Sequence, residues 1–408
     1  MTLAAPPRQR PLSRALLPLG LMFLSVGVSV ALVFPFLALF LSTEVHAGPV
    51  QVTVFLIASP LSGVLVSSVA GRASDRWPIR RRILIAAAGA GLIGSLVAMF
   101  VRDYWVLLAM AVTAYAFAGA LFPQSFAYAR QILERDNPGR SAMGISTMRT
   151  VFSLAWVGGP ALAAILLEVG GFRLVYGLAA STYALAVLVA VVWLDDVDVP
   201  AADAPEPVVG TTPAGPTVPR WVLWLTIVAF VLVQVPMTLG VQALPLYIRE
   251  DLHSDPSRAG LILGLCAAIE IPLMLALGAL TTRFRVRLLI LAGAACGIAY
   301  YGIAAVAPNL WVLAAAQLVN ATFIAAVSGV GISYVQDMLP SEPGRATTLY
   351  TNTFPIGAIA AGPLLGIAAH FGYRSAFGMG TALCVAGFLL LLATGLRRGT
   401  AKDAFQRR

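Results

Sequence analysis

The sequence predicts an all-α polytopic membrane protein, with twelve transmembrane helices arranged as two six-helix halves. Three observations carry that expectation. Hydrophobic residues make up 59% of the 408 and charged residues only 11%; long apolar runs are separated by arginines, prolines and short polar turns; and the polar punctuation of the first half returns in the second. A soluble domain has about 45–50% apolar and about 25% charged residues, so a soluble fold is excluded. One bilayer crossing consumes about 20 predominantly apolar residues, and the apolar content supplies roughly twelve of them.

The elements follow in chain order. Arg8, Arg10 and Arg14 precede an apolar stretch of about 27 residues, longer than the 7–15 residues of a cleavable leader, so the first helix, 15–41, is read as retained. Helices over 50–71, 82–101, 104–129, 142–168 and 172–194 complete the first half, residues 1–194. Residues 195–219, DDVDVPAADAPEPVVGTTPAGPTVP, are acidic and rich in proline; they lack the apolar surface to fold and read as an extended, semi-stiff linker. The second half, residues 220–408, is expected to hold helices over 221–248, 257–281, 286–307, 309–338, 345–369 and 373–396. Strands of a membrane barrel would alternate over about 10 residues, which these uninterrupted runs do not.

Sidedness is read from the 27 lysines and arginines. With both termini cytoplasmic, 21 of them fall on the cytoplasmic side and five, Arg102, Arg173, Arg249, Arg258 and Arg374, on the outer side, leaving Arg149 inside a helix. That asymmetry matches the excess of positive charge in cytoplasmic loops. A net charge of +9 is thereby read as topology; nucleic-acid binders gather their basic residues on one solvated face instead. Cys266, Cys296 and Cys384 all lie in apolar runs without metal spacing or a pairing framework, and read as packing residues.

Comparing the chain with itself at a shift of about 200 residues separates a transporter from an arbitrary helical bundle. Leu39, Phe40, Leu41, Glu44 and His46 align with Leu246, Tyr247, Ile248, Asp251 and His253. Gly71 and its arginine cluster align with Gly278 and Arg283, Arg285 and Arg287. YARQILERDNPGR from Tyr128 aligns with YVQDMLPSEPGR from Tyr334. Gly159-Pro160 and Gly171-Phe172-Arg173 align with Gly362-Pro363 and Gly372-Tyr373-Arg374.

The loop GRASDRWPIRRR, Gly71 to Arg82, resembles the signature loop of the major facilitator superfamily, departing from it at Pro78, where that family has glycine; the second copy has Thr282 in place of Asp75. FPQSFAYAR from Phe122, TMRTVFSLAWVGGP from Thr147 and AIEIPLML from Ala268 are similar to segments of the bacterial sugar efflux transporters within it. The resemblance implies a transporter of the bacterial inner membrane that exports small sugars or glycosides against protons by alternating access. It also implies that helices 5 and 8 meet along a central cavity, and that Gly71, Asp75 and Arg76 form a cytoplasmic gate, against the alternative that Asp75 is a solvated loop acid.

The residues themselves supply the candidates. Arg149, about eight residues into helix 5, and Glu270, midway along helix 8, are costly inside a bilayer and are candidates for proton coupling. The structural alternatives are a snorkelling cation and a hydrogen-bonded buried acid. Gln234, Thr238 and Gln242 follow one slowly drifting face of helix 7, Gln317 and Asn320 are three apart on helix 10, Gln124 and Tyr128 four apart on helix 4, and Asn352 opens helix 11. Uncharged amides of this kind suit a hydroxyl-rich solute, and equally serve as interhelical glue. Tyr115, Phe126 and Trp156 are stacking candidates. Gly159-Pro160, Gly362-Pro363, Pro35 and Pro245 are bends or tolerated kinks.

An enzyme is not expected. The three histidines, His46, His253 and His370, are far apart and form no zinc-protease motif; no Gly-x-Ser-x-Gly elbow occurs; and the one lysine, Lys402, follows alanine, so there is no phosphate-cradling loop. No cofactor is implied. The expected partners are a sugar or glycoside, protons and the lipid bilayer, with no nucleic acid and a monomeric state; the alternatives are a drug/proton antiporter and a sugar/proton symporter.

Overall fold

The computed structural model describes residues 12–136, 141–195, 218–339 and 342–406. Nearly all of the predicted linker, 195–219, lies outside the described residues. Among them, eleven helical stretches are long and apolar enough to cross a membrane, and one of these is two helices. Ser141–Val192 is broken at Gly170 and Gly171, the latter with a φ of +65°, a conformation that a side chain would strain. Twelve spans result. We label them α1 (Leu17–Thr43), α2 (Pro49–Arg76), α3 (Arg80–Phe100), α4 (Tyr104–Ile132), α5 (141–169), α6 (172–192), α7 (Arg220–Glu250), α8 (Arg258–Leu280), α9 (Val286–Val306), α10 (Leu310–Gln336), α11 (Arg345–Phe371) and α12 (Arg374–Thr394).

Several local details depart from the sequence expectation. α2 runs five residues past the expected end at 71, so Gly71 to Arg76 are helical and the signature loop shrinks to Trp77, Pro78 and Ile79. Pro78 cannot donate a helical hydrogen bond, and the helix stops just before it. Pro35 breaks α1 into a 3-10 turn at Phe34–Phe36, whereas α7 continues through Pro245 and α5 through Pro160 without a break. α4 contains a π turn at Ala111–Tyr115 and an irregular step at Gly119 and Ala120. α11 is interrupted at Asn352.

The duplication seen in the sequence is repeated in local geometry. Among the described residues, positive φ occurs at His46 and His253, and at Gly171 and Gly372; each is a pair related by the repeat. Asp103 and Asn309 occupy equivalent positions and cap α4 and α10 in the same way, accepting from Val106 N at 3.0 Å and Val312 N at 3.1 Å. Ser74 donates to the Gly71 carbonyl at 2.8 Å, and Thr281 does the same to Gly278 at 2.7 Å.

The chain divides into two compact units whose boundaries do not follow the halves of the sequence. The first comprises Met1–Val33, Ser62–Gly159 and Val169–Val208; the second comprises Phe34–Leu61, Pro160–Glu168 and Val209–Arg408. The first has a core of Leu19, Met22 and Phe23 from α1, Leu84 and Ala88 from α3, Leu121 and Tyr128 from α4, and Tyr183 and Ala186 from α6. Hydrophobicity does not draw helices together within lipid, so this interdigitation is what holds them. The second unit includes pieces of α1, α2 and α5 because of bonds at their ends. Thr53 of α2 donates to the Gly362 carbonyl at 3.5 Å, and Ser257 donates to Glu168 at 2.8 Å. Gly260 of α8 lies so close to the Pro160 carbonyl oxygen that any Cβ there would overlap it.

Candidate functional site

In the second unit the polar side chains of α8, α9 and α10 form one hydrogen-bonded group. Gln317 is fully buried; its Nε2 donates to the Leu313 carbonyl at 3.2 Å and to the Tyr300 hydroxyl at 3.3 Å. Its Oε1 accepts from Asn320 Nδ2 at 2.9 Å, and the same Nδ2 donates to Cys266 Sγ at 3.4 Å. Asn320 Oδ1 is buried without a partner. Gln317 and Asn320 were expected together from their spacing, and they are. Tyr300 and Cys266 were not picked out for this role, Cys266 being read as packing. Spacing within one helix does not reveal which residue of a neighbouring helix completes a bond, so no sequence signal marks them.

The other amides have different surroundings. Gln242 lies on α7 at the break in α1: its Nε2 donates to the Phe34 carbonyl at 2.7 Å, and its Oε1 accepts from Ala38 N at 3.2 Å. Phe34 and Ala38 are the i and i+4 groups that would pair in an unbroken helix. The amide bridges the gap left by the 3-10 turn, so both of its ends are engaged by backbone. Gln234 of α7 is buried, with Nε2 unpartnered. Asn352 is exposed at the interruption of α11, and Glu270 is half-buried four residues after Cys266 on α8.

In the first unit, Gln124 and Ser125 of α4 are buried, with Gln124 Oε1 and Ser125 Oγ unpartnered. Tyr128 is buried, with its hydroxyl on the Asp195 carbonyl at 3.0 Å. Trp156 is half-buried on α5. Arg149 also lies on α5, with its side chain outside the described residues. Asp75 pairs with Arg80 at 2.8 Å across the short turn, and Arg76 is exposed. Asp75 remains largely exposed, so the pair is worth little by itself. Arg81 next to it donates to the carbonyls of Ala190 at 3.2 Å and Val191 at 2.7 Å, at the end of α6. In the second unit Arg287 donates to Leu391 at 3.4 Å and Leu392 at 2.9 Å on α12.

Among the described residues no group of histidine, cysteine or carboxylate side chains is arranged to hold a metal ion. The buried polar atoms left open among the described residues are the amide and hydroxyl atoms of Gln124, Ser125, Gln234 and Asn320, together with the Nε of Arg80 and of Arg287. Comparison with known proteins finds relatives along nearly the whole chain. The chain is 34% identical to a putative sugar efflux transporter of Deinococcus radiodurans, over 92% of this chain and 97% of that one. It is 35% identical to sugar efflux transporter A of Dickeya chrysanthemi, over 88% and 92%. The solved nucleoside transporter NupG has the same fold, at 13% identity and a TM-score of 0.73, covering 94% of this chain and 98% of that one.

Twelve spans, a duplicated set of turns and these matches define a membrane transporter, not an enzyme. The chain belongs to the Major Facilitator Superfamily, whose pattern matches residues 19–247 and 226–407.

Proposed function

We propose that the protein exports small neutral sugars or glycosides by alternating access, a proton entering as the solute leaves. The observation that carries this is near full-length similarity to relatives named as sugar efflux transporters. The buried amides support the same reading, since a neutral polyol is recognised by hydrogen bonds from uncharged groups. The protein works as a monomer, without a cofactor, in the inner membrane of a bacterium. Its termini and the 195–219 linker are cytoplasmic, and residues 1–194 and 220–408 act as related six-helix halves.

Within that scheme Gln124, Tyr128, Trp156, Gln234, Gln317, Asn320 and Asn352 line the solute path. Gly71, Asp75 and Arg76 belong to the cytoplasmic gate, where Asp75 exchanges its Arg80 partner between states. Glu270 carries the proton, and Arg149 sets its affinity by stabilising the ionised form. The test is counterflow in proteoliposomes with labelled lactose or a labelled glucoside and an imposed pH gradient. Uphill movement of the sugar driven by the gradient supports the reading. Exchange that ignores the gradient removes proton coupling, and absence of any sugar movement removes the substrate class.

A further inference from the structure

The hydrogen bonds around Asn320 have a direction, and the backbone sets it. The Leu313 carbonyl only accepts, so the end of Gln317 that faces it is Nε2 and the opposite end is the acceptor Oε1. Asn320 must then present Nδ2 to Gln317. Turning the Asn320 amide over would set two oxygens against each other. The second hydrogen of Nδ2 is directed at Cys266 Sγ. With both hydrogens engaged, the group left over is Oδ1, an acceptor, buried and unpartnered in a residue only 6% exposed.

A buried carbonyl oxygen without a donor carries a desolvation cost that a ligand can relieve. The relief is selective. An anion's oxygen is repelled by Oδ1, an ether oxygen or fluorine offers no hydrogen, and a hydroxyl donates one.

We infer that Asn320 Oδ1 accepts a hydrogen bond from one hydroxyl of a neutral solute, and that Cys266 is a positioning residue which keeps Oδ1 open by engaging Nδ2. Gln317, itself bonded to Tyr300, engages the other hydrogen of the same Nδ2. This rests on the sugar-transport reading above and adds the polarity of one contact: the solute donates and the protein accepts.

The test uses the purified full-length protein and calorimetric binding of methyl β-galactoside, methyl β-glucoside and their derivatives with a single hydroxyl replaced by fluorine, which accepts but does not donate. In the wild type, one fluoro position binds about 2- to 10-fold more weakly than the parent sugar, the span of one neutral hydrogen bond. Asn320→Ala abolishes that discrimination, binding parent and fluoro sugar alike. Cys266→Ala weakens it, because the freed Nδ2 hydrogen can be donated to fluorine as well as to oxygen, while Cys266→Ser, nearly the same size as alanine but with an acceptor, restores it. The cysteine pair carries the test if Asn320→Ala does not fold. Full discrimination in folded Asn320→Ala, or equal behaviour of Cys266→Ala and Cys266→Ser, overturns the assignment while leaving sugar transport standing. A wild type that binds neither parent sugar overturns the transport reading, and the assignment with it.

Discussion

Gln242 shows how far a single residue's role depends on its neighbours. Its chemistry and its place on helix 7 are those of a solute-binding amide, yet both ends are engaged by the backbone of α1 at Phe34 and Ala38. Proline at 35 was legible as a possible bend. That a glutamine about 200 residues away repairs the bend was not, because a sequence does not disclose which side chain lies opposite a break. Gln242→Leu removes the glutamine partner of the part-buried Phe34 carbonyl and of the buried Ala38 N–H, and an unsatisfied buried group costs about 1–3 kcal/mol. Thermal unfolding in detergent should move down accordingly, with sugar affinity of the folded protein unchanged. A weakened affinity at unchanged stability would return Gln242 to the solute path. For the Gln317 and Asn320 pair the spacing was sufficient, since residues three apart on a helix are neighbours wherever the helix goes.

At the scale of elements, the arginines beside the signature loop do two jobs. Arg80 pairs with Asp75, whereas Arg81 reaches back to the last carbonyls of α6, where the helix end is negative and its carbonyls lack intrahelical donors. The matching Arg287 bonds to α12, so the duplicated loops fasten the third helix of each half to the sixth. Arg81→Met is expected to lower stability by about 0.3–1 kcal/mol, measured by thermal unfolding. Arg81→Lys should recover less than half of that, because an ammonium lacks the planar fork that spans two carbonyls. Recovery to the wild-type value with lysine would mean that charge alone matters there. The arginine cluster was read from the sequence as a topology signal; which of its members bind helix ends follows from how α3 packs on α6.

For the whole molecule, the sharpest question is coupling. Glu270→Gln imitates a permanently protonated acid, so solute binding and sugar-for-sugar exchange should persist in proteoliposomes while transport driven by a pH gradient disappears. On the proposed coupling, Arg149→Ala should move the transport optimum to higher pH. Uphill, gradient-driven transport by the Arg149→Ala, Glu270→Gln double variant would eliminate Glu270 as the proton site.

The membrane class, the twelve spans and the duplication were determined by the sequence alone, because they rest on quantities summed along the chain. Apolar length against bilayer thickness, arginine placement and the recurrence of Gly-Pro and Gly-aromatic-Arg need no knowledge of neighbours. The break between α5 and α6 at Gly170–Gly171 belongs with these, being written in glycine itself. Only the tertiary structure decided that the ends of α1, α2 and α5 belong with α7 to α12. It also decided that Gln242 serves a helix break while Asn320 keeps an open acceptor. Those outcomes depend on pairing between helices distant in sequence: a polar group in lipid must find its partner inside the protein, and the sequence shows the group without showing which helix supplies the partner.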